Sequence, residues 1–131
     1  MRLATHEDIP QIVEMSRAYY DKMQPVWPYS PEGVERVIAT LIDSPDGLVL
    51  VGDGFFAGVR QANPLSPEWT IASEVMWWSD RRGAGARLFR AFRKWAQDAD
   101  EIRYSCPPDQ TKVAAFFERF GGATEIIFSE V

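Results

Sequence analysis

A long strand pattern runs directly into an amphipathic helix pattern in this chain of 131 residues, and this junction constrains the fold more than any other feature. The segment "EWTIASEVMWW" (68–78) is the longest strand candidate. Beyond the step Gly83-Ala84-Gly85, apolar residues recur at helical spacing. Shorter patterns around the junction give the order β-αα-βββ-α-β-α-β. Strands that alternate with helices around a β meander predict one α/β domain over residues 1–131, with an α+β-type mixed sheet.

Turn and cap residues set the ends of the flanking elements. Thr5 and Asp8 stand at capping-box spacing before the first helix, and Ser30 caps the second. The triplet Gly52-Asp53-Gly54 predicts a hairpin, and Gly121-Gly122 ends a last helix. The remaining predicted strands are short and cover residues 1–5, 48–51, 55–59, 101–106 and 124–130.

Composition and residue counts argue against several classes of protein. The hydrophobic share of 46% and the charged share of 25% are ordinary for a soluble globular protein. No stretch is as long as a membrane span, and the amino terminus does not have the pattern of a signal peptide. We therefore expect a cytoplasmic protein with no membrane partner. A single cysteine, Cys106, cannot form an internal disulfide, and a single histidine, His6, argues against a His-rich metal site or a Ser-His-Asp triad.

Positive charge is concentrated at the junction although the chain is acidic overall. The formal net charge is −5, from 14 basic and 19 acidic residues, which argues against a nucleic-acid partner. Residues 81–94 nevertheless contain basic side chains and no acidic one. The basic side chains are Arg81, Arg82, Arg87, Arg90, Arg93 and Lys94. A cationic block in an acidic chain favours an anionic ligand at this point.

The start of the helix has the properties of a phosphate site. The first turn of a helix leaves backbone N–H groups unpaired, and the helix dipole places partial positive charge there. Glycine allows a ligand to approach closely and arginine adds charge-assisted hydrogen bonds, so residues 81–86 are interpreted as a pyrophosphate cradle. A dinucleotide fingerprint would need glycine in place of Leu88, and no P-loop is present. The alternative is that the glycines only shape a turn and the arginines are solvated.

Two segments, 73–96 ("SEVMWWSDRRGAGARLFRAFRKWA") and 111–123 ("TKVAAFFERFGGA"), resemble the GCN5-related N-acetyltransferase (GNAT) superfamily, in particular its short members, which phages often encode. The element order extends the resemblance over nearly the whole chain. The resemblance implies a central strand at 74–78 that diverges from its neighbour and pairs with the pantetheine arm of the cosubstrate acetyl-CoA. The loop after this strand is then the pyrophosphate site. The implied cofactor-binding residues are Met76, Trp77, Trp78, Arg81, Arg82, Gly83, Ala84, Gly85, Ala86 and Gln110.

Two positions depart from the family pattern. The family loop has Gln or Arg at a position that is Asp80 here when the glycines are aligned, unless a deletion has moved Arg81 or Arg82 into that role. The family tyrosine that commonly protonates the departing CoA thiolate is replaced by Phe117, which has no proton to donate. Either another group or water protonates the thiolate, or the chemistry is slow or absent.

Acetyl transfer to an amine requires a neutral amine, a polarised thioester carbonyl and an in-line arrangement of the two. A backbone N–H around Trp77 is the candidate for polarising the carbonyl. Glu74 is the candidate catalytic base because it lies in an apolar strand, where burial favours proton uptake; the alternative is a solvated or salt-bridged glutamate. Trp77 and Trp78 either wall an acceptor pocket, or one packs into the core while the other faces outward. Tyr19, Tyr20 and the segment after them fall where the family builds much of its acceptor site. In that segment, Trp27 and Tyr29 either form a lid or only pack the loop.

The sequence thus predicts an N-acetyltransferase that moves acetyl from acetyl-CoA to a primary amine by direct transfer in a ternary complex. The acceptor stays open between a small molecule and a protein. The alternative is a catalytically weak or inactive GNAT-fold module that binds CoA or a protein partner. The edge of the final predicted strand, 124–130, is a place where a second copy of the chain can pair, so formation of a homodimer stays an open alternative.

Overall fold

The computed structural model describes residues 1–106 and 125–129, which form one mixed sheet with helices on both faces. The strands are β1 (Arg2–Leu3), β2 (Gly47–Gly52), β3 (Gly54–Asn63), β4 (Ser66–Ser79), β5 (Glu101–Cys106) and β6 (Glu125–Ser129). The helices are a short 3-10 turn (His6–Asp8), α1 (Ile9–Met23), α2 (Pro31–Asp43) and α3 (Ala84–Trp95). The predicted element order is confirmed over these residues, and the predicted last helix lies outside them.

The described strands lie in the sheet in chain order, from β1 to β6. The first four strands pair antiparallel with one another. β5 is parallel to β4, and β6 is parallel to β5. A parallel neighbour requires a crossover connection, and α3 provides it between β4 and β5. The predicted mixed sheet is therefore confirmed.

Two apolar cores lie on opposite faces of the sheet. The α3 core includes Leu48, Leu50, Phe56, Leu88, Phe89 and Phe92. The α1–α2 core includes Ile9, Ile12, Ile38, Leu41, Val49, Val51 and Phe55. Side chains alternate along a strand, so Phe55 and Phe56 enter different cores although they are neighbours in β3. Both rings are fully buried.

Strands β3 and β4 are longer than the sequence pattern predicts. The apolar run indicated residues 55–59 for β3, but this strand continues to Asn63 because its exposed half stays paired with β4. β4 begins at Ser66 rather than at residue 68 for the same reason. Backbone pairing does not require apolar side chains, so a hydrophobic pattern underestimates the exposed half of a hairpin.

A buried carboxylate fixes the amino-terminal end of α1. Asp8 accepts a hydrogen bond from each of two Arg2 guanidinium nitrogens, both at 2.7 Å. It also accepts one from the Thr5 backbone N–H at 2.8 Å, which confirms the predicted pairing of Thr5 with Asp8. The hydrogen bond from Arg2 is the main reason that the pKa of Asp8 lies far below its ordinary value. The Thr5 hydrogen bond acts in the same direction, and burial opposes both.

Replacing Asp8 by asparagine is expected to lower the melting temperature at neutral pH. A carboxyl group whose pKa is lower in the folded state contributes stability above its unfolded pKa, about 3.9, and this contribution is lost as the pH falls towards the folded pKa. The Tm difference between parent and Asp8→Asn is therefore full near pH 7 and shrinks below about pH 4. Thermal unfolding followed by circular dichroism measures it, with the exposed Glu14→Gln as control. A Tm difference that is independent of pH would contradict the expected role of this charge.

Two kinds of feature are absent from the described residues. None of the described helices combines the length and apolarity needed to cross a membrane. Over the same residues, no group of three or more His, Cys, Asp or Glu side chains is placed to hold a metal ion.

Candidate active site

Strands β4 and β5 diverge after three residue pairs. The pairs are Ile71 with Glu101, Ala72 with Ile102 and Ser73 with Arg103. Beyond them, β4 continues to Ser79 alongside β3, while β5 continues to Cys106 alongside β6. The sheet opens at Glu74, and we call the space between residues 74–79 and residues 104–106 the β4–β5 cleft. The resemblance implied a diverging strand at 74–78, and the register places the divergence there.

A β-bulge lies where the cleft begins. In β3, Ala57 pairs with Met76 and Gly58 pairs with Glu74, which leaves Val75 as an extra residue in β4. A bulge bends its strand and increases the local twist. The bulge therefore helps β4 to turn away from β5 at this point.

A cavity of about 610 Å³ lies between α1, α2 and the closed end of the β4–β5 cleft. Its lining on the sheet side consists of Ser73, Glu74, Val75, Met76, Arg103 and Tyr104. Its lining from the helices and their connection includes Ser16, Tyr19, Tyr20, Trp27, Tyr29 and Val37. A cavity of this size is typical of a small-molecule site. The predicted base Glu74 borders it and is half-buried.

Hydrogen bonds hold the aromatic wall of the cavity in place. The hydroxyl of Tyr20 donates to the backbone carbonyl of Trp27 at 2.9 Å. The hydroxyl of Tyr29 donates to the carbonyl of Val13 at 3.0 Å and lies 2.8 Å from the hydroxyl of the buried Ser16. These bonds tie the connection between α1 and α2 back to α1, so the segment that carries Trp27 and Tyr29 is held at the cavity.

The β4–α3 junction gives a structural reason for each of its glycines. Gly83 precedes α3 with a φ of +83°, in the left-handed region that glycine tolerates. A Cβ atom at Gly85 would lie 2.8 Å from Ser79 Oγ, so glycine lets α3 start close to the end of β4. These observations support the alternative in which the glycines shape a turn. The case for an anion site then depends on the helix terminus and the arginines.

The start of α3 nevertheless has positive character. The N-cap residue is Gly83, which has no side chain to cap the helix, and the first helical residue, Ala84, donates its N–H to the carbonyl of Arg81 at 3.1 Å. The helix dipole places partial positive charge at this end. Arg82 and Arg87 are exposed at this end, as is Asp80. The Arg81 guanidinium lies 3.2 Å from the Asp53 carboxylate in the β2–β3 turn and is partly neutralised by it. Arg82 and Arg87 are therefore the better candidates for an anion at this terminus.

The two tryptophans near the end of β4 pack on opposite faces of the sheet. Trp77 stacks on Phe89, with 5.2 Å between ring centroids, and joins the α3 core. Trp78 packs against the α1–α2 core. Neither side chain lines the cavity, so the expectation of a tryptophan wall is wrong for this cavity. The alternative, in which one of the two faces outward, is also wrong because alternation sends each ring into a different core.

Arg103 is a cavity residue that the sequence analysis missed. It lies beside Ser73 at the closed end of the cleft and donates a hydrogen bond to the buried Glu101. The indole N–H of Trp69 donates to the same carboxylate at 2.9 Å. The bond from Arg103 is the main cause that keeps the pKa of Glu101 below its ordinary value, and Trp69 adds to it. Only the strand register shows that Arg103 borders the cavity.

Of three other candidate site residues, one lines the cavity and two lie outside the described residues. Met76 lies in β4 and lines the cavity, and its expected contact to acetyl-CoA stays a prediction. Gln110, the expected contact to the arm of acetyl-CoA, and Phe117, at the position of the family tyrosine, lie outside the described residues.

The sequence matches no family model and no curated protein. Solved structures match over most of the chain. It is similar to a predicted acetyltransferase from Clostridium acetobutylicum solved with acetyl-CoA, with a TM-score of 0.69, 11% identity, and coverage of 92% of this chain and 86% of that chain. It is similar to aminoglycoside N-acetyltransferase AAC(6')-Iy in complex with CoA, with a TM-score of 0.65, 13% identity, and coverage of 99% and 92%. It is also similar to a transcriptional regulator from Bacillus halodurans C-125, with a TM-score of 0.67, 17% identity, and coverage of 92% and 89%.

Similarities of this kind establish a shared fold. The chain has the mixed α/β fold of GNAT acetyltransferases. Proteins with this fold have been solved with acetyl-CoA or CoA. The same fold occurs in a transcriptional regulator, so function depends on the site rather than on the fold.

Proposed function

We propose that this protein is an N-acetyltransferase that moves acetyl from acetyl-CoA to a primary amine by direct transfer in a ternary complex. The observation that carries this proposal is the β4–β5 cleft, which opens at Glu74 directly beside the cavity. The solved acetyltransferases with the same fold, among them complexes with acetyl-CoA and CoA, support the same function.

The residues around the cleft fit an acetyl-CoA molecule. β4 has no pairing with β5 beyond Ser73, and an extended amide chain such as pantetheine has the hydrogen-bonding groups to pair with such an edge. Met76, Trp77 and Trp78 would lie along this arm and contribute their backbone. The start of α3, with Arg82 and Arg87, suits the two phosphates of the pyrophosphate, and residues 83, 85 and 86 would approach them with backbone N–H groups. The N–H of Ala84 donates to the carbonyl of Arg81, so Ala84 would lie beside the phosphates without donating to them.

When bound, acetyl-CoA supplies an activated acyl group: the amine nitrogen bonds to the carbonyl carbon, the carbon–sulfur bond breaks, and its electron pair leaves on sulfur, which takes up a proton. In this proposal Glu74 accepts a proton from the amine at a carboxylate oxygen and so keeps the nitrogen lone pair available. A backbone N–H around Trp77 polarises the carbonyl. Since Phe117 has no proton to donate, water or another group protonates the sulfur.

The second candidate function is a GNAT-fold module that binds CoA or a protein partner without efficient catalysis. Two sequence features favour it, namely Asp80 in the phosphate loop and Phe117 at the tyrosine position. The similarity to a transcriptional regulator with the same fold also favours this second candidate function.

Thermal unfolding with and without acetyl-CoA shows whether the protein binds this molecule. A ligand at about 100 times its dissociation constant stabilises the folded state by about 2.7 kcal/mol, which raises the Tm of a domain of this size by several degrees. We expect this rise with acetyl-CoA and not with ATP at the same concentration. Release of free CoA that requires an added amine then demonstrates transfer. A Tm that acetyl-CoA does not move would contradict the proposed function and leave a module without cofactor.

A further inference from the structure

The volume of the cavity limits the molecules that it can hold. At about 610 Å³ it lies within the range of about 300–1,000 Å³ that is usual for small-molecule sites. Its walls come from α1, α2, their connection and the ends of the β4–β5 pairing, so it is enclosed on several sides. A small molecule fits this space as a whole, whereas only one side chain of a protein acceptor would fit.

The lining of the cavity is mainly aromatic and aliphatic. The residues that give it this character are Tyr19, Tyr20, Trp27, Tyr29, Val37 and Met76. Two of the aromatic hydroxyls, those of Tyr20 and Tyr29, already donate to backbone carbonyls and are thereby satisfied within the protein. The wall therefore offers ring faces and methyl groups, which favour an aromatic or branched aliphatic group over a polyhydroxylated one.

Formal charge at the cavity is balanced among the described residues. Of the described lining residues, Glu74 is the one with a carboxylate and Arg103 is the one with a guanidinium. A second cation, the Arg17 guanidinium, lies over the ring of Tyr29 at 4.7 Å from its centroid. One ammonium group can be matched by Glu74. Arg103 is itself paired with the carboxylate of Glu101, so a second ammonium group would meet no further carboxylate among the described lining residues and would approach the Arg17 guanidinium, with an unfavourable Coulomb energy.

We propose that the acetyl acceptor is a small monoamine whose amino group is carried on an aromatic or branched aliphatic body. This inference rests on the proposed function, because it assigns the acceptor of that same reaction. The apolar body packs against the aromatic wall, and the amino group lies towards Glu74, where the cavity meets the β4–β5 cleft. Polyamines and aminoglycosides are disfavoured by their additional charges.

Binding of amines can be measured without acetyl-CoA, by calorimetric titration of the full chain. The probes are 2-phenylethylamine as the apolar monoamine, 1,4-diaminobutane as the dication and a lysine-containing tripeptide as the protein-like acceptor. We expect 2-phenylethylamine to bind at least tenfold more tightly than either of the others. Equal affinities, or tighter binding of the diamine or the tripeptide, would overturn the inference.

A charge added to the wall tests the same inference in the opposite direction. Val37 lines the cavity from α2 and is 44% exposed, so Val37→Asp adds a carboxylate there without creating a buried void. We expect it to weaken 2-phenylethylamine and to strengthen 1,4-diaminobutane, so that their affinity ratio changes about tenfold or more. Leu65→Asp, at a site 95% exposed in the β3–β4 turn, adds the same charge away from the cavity and is the control. An unchanged ratio in Val37→Asp would contradict the inference.

Failure of this inference and failure of the proposed function give different results. If acetyl-CoA raises the Tm and an added amine releases free CoA, but the amine preference is absent, the protein is an acetyltransferase for another class of acceptor. If the preference is present but acetyl-CoA does not raise the Tm, the cavity binds monoamines in a protein that does not transfer acetyl groups.

Discussion

Glu74→Gln is expected to lower kcat about 100-fold or more, while the affinity for acetyl-CoA stays within about twofold. Glutamine keeps the size and the polar end of the side chain but cannot accept the proton of the amine. Glu74 lies at the closed end of the β4–β5 cleft and borders the cavity, so it stands between the two expected substrates. Steady-state rates of CoA release, measured over a range of pH and of amine concentration, separate an effect on kcat from one on KM.

The matched control for this variant is Glu68→Gln. Glu68 is in the same strand, β4, but is exposed at the opposite end and does not line the cavity. It is expected to keep the parental kcat. If Glu74→Gln kept the parental kcat at every pH, Glu74 would not be the base. If only KM for the amine rose, Glu74 would hold the acceptor without accepting its proton.

Ala86→Asp is expected to weaken acetyl-CoA binding at least tenfold without destabilising the unliganded protein. Ala86 is in the first turn of α3 and is half-buried. An acidic side chain in the first turn interacts favourably with the helix dipole, so the helix itself does not suffer. The same negative charge repels a pyrophosphate at this terminus, and tenfold weaker binding corresponds to about 1.4 kcal/mol.

This position is a cleaner test of the phosphate site than either glycine. A side chain at Gly83 would be strained by its φ of +83°, and one at Gly85 would contact Ser79, so both would alter the junction itself. Gln61→Glu, on the exposed half of β3, adds one negative charge elsewhere and is the control. Acetyl-CoA titrations followed by calorimetry measure the effect. Equal affinities of Ala86→Asp and the control would remove the start of α3 as the pyrophosphate site.

The sequence predicted the elements better than it predicted the site. β5 was predicted at its observed bounds, 101–106, because Ile102, Tyr104 and Cys106 alternate with polar residues between Asp100 and Pro107. The divergence of β4 came from the family resemblance, since nothing in an apolar run shows which neighbour a strand leaves. The bulge at Val75 and the position of Arg103 depend on register, which a single sequence does not contain.

The tryptophans and the glycines illustrate a second limit. Trp77 and Trp78 were expected either to wall an acceptor pocket or to have one ring in the core and the other facing outward. The pleat of the strand instead packs each ring against a different core. The glycines at 83 and 85 were assigned to a ligand, and the structure gives each a local steric reason as well. Glu74 drew attention because a carboxylate within an apolar strand is rare, and the structure shows that it borders the cavity; its role as the base stays a prediction.

The three residue pairs between β4 and β5 are also the whole backbone ladder that links the antiparallel part of the described sheet to its parallel part. Mechanically, β1 to β4 form one part of the sheet and β5 and β6 form another, and only a short stretch of backbone pairing joins the two parts of the described sheet. A ligand arm that pairs along the cleft acts as an additional, removable strand and extends the connection between the two parts. We therefore expect the amide hydrogens of β5 and β6 to exchange faster than those of β2 and β3 in the unliganded protein. Once a ligand fills the cleft, the two sets should exchange at similar rates.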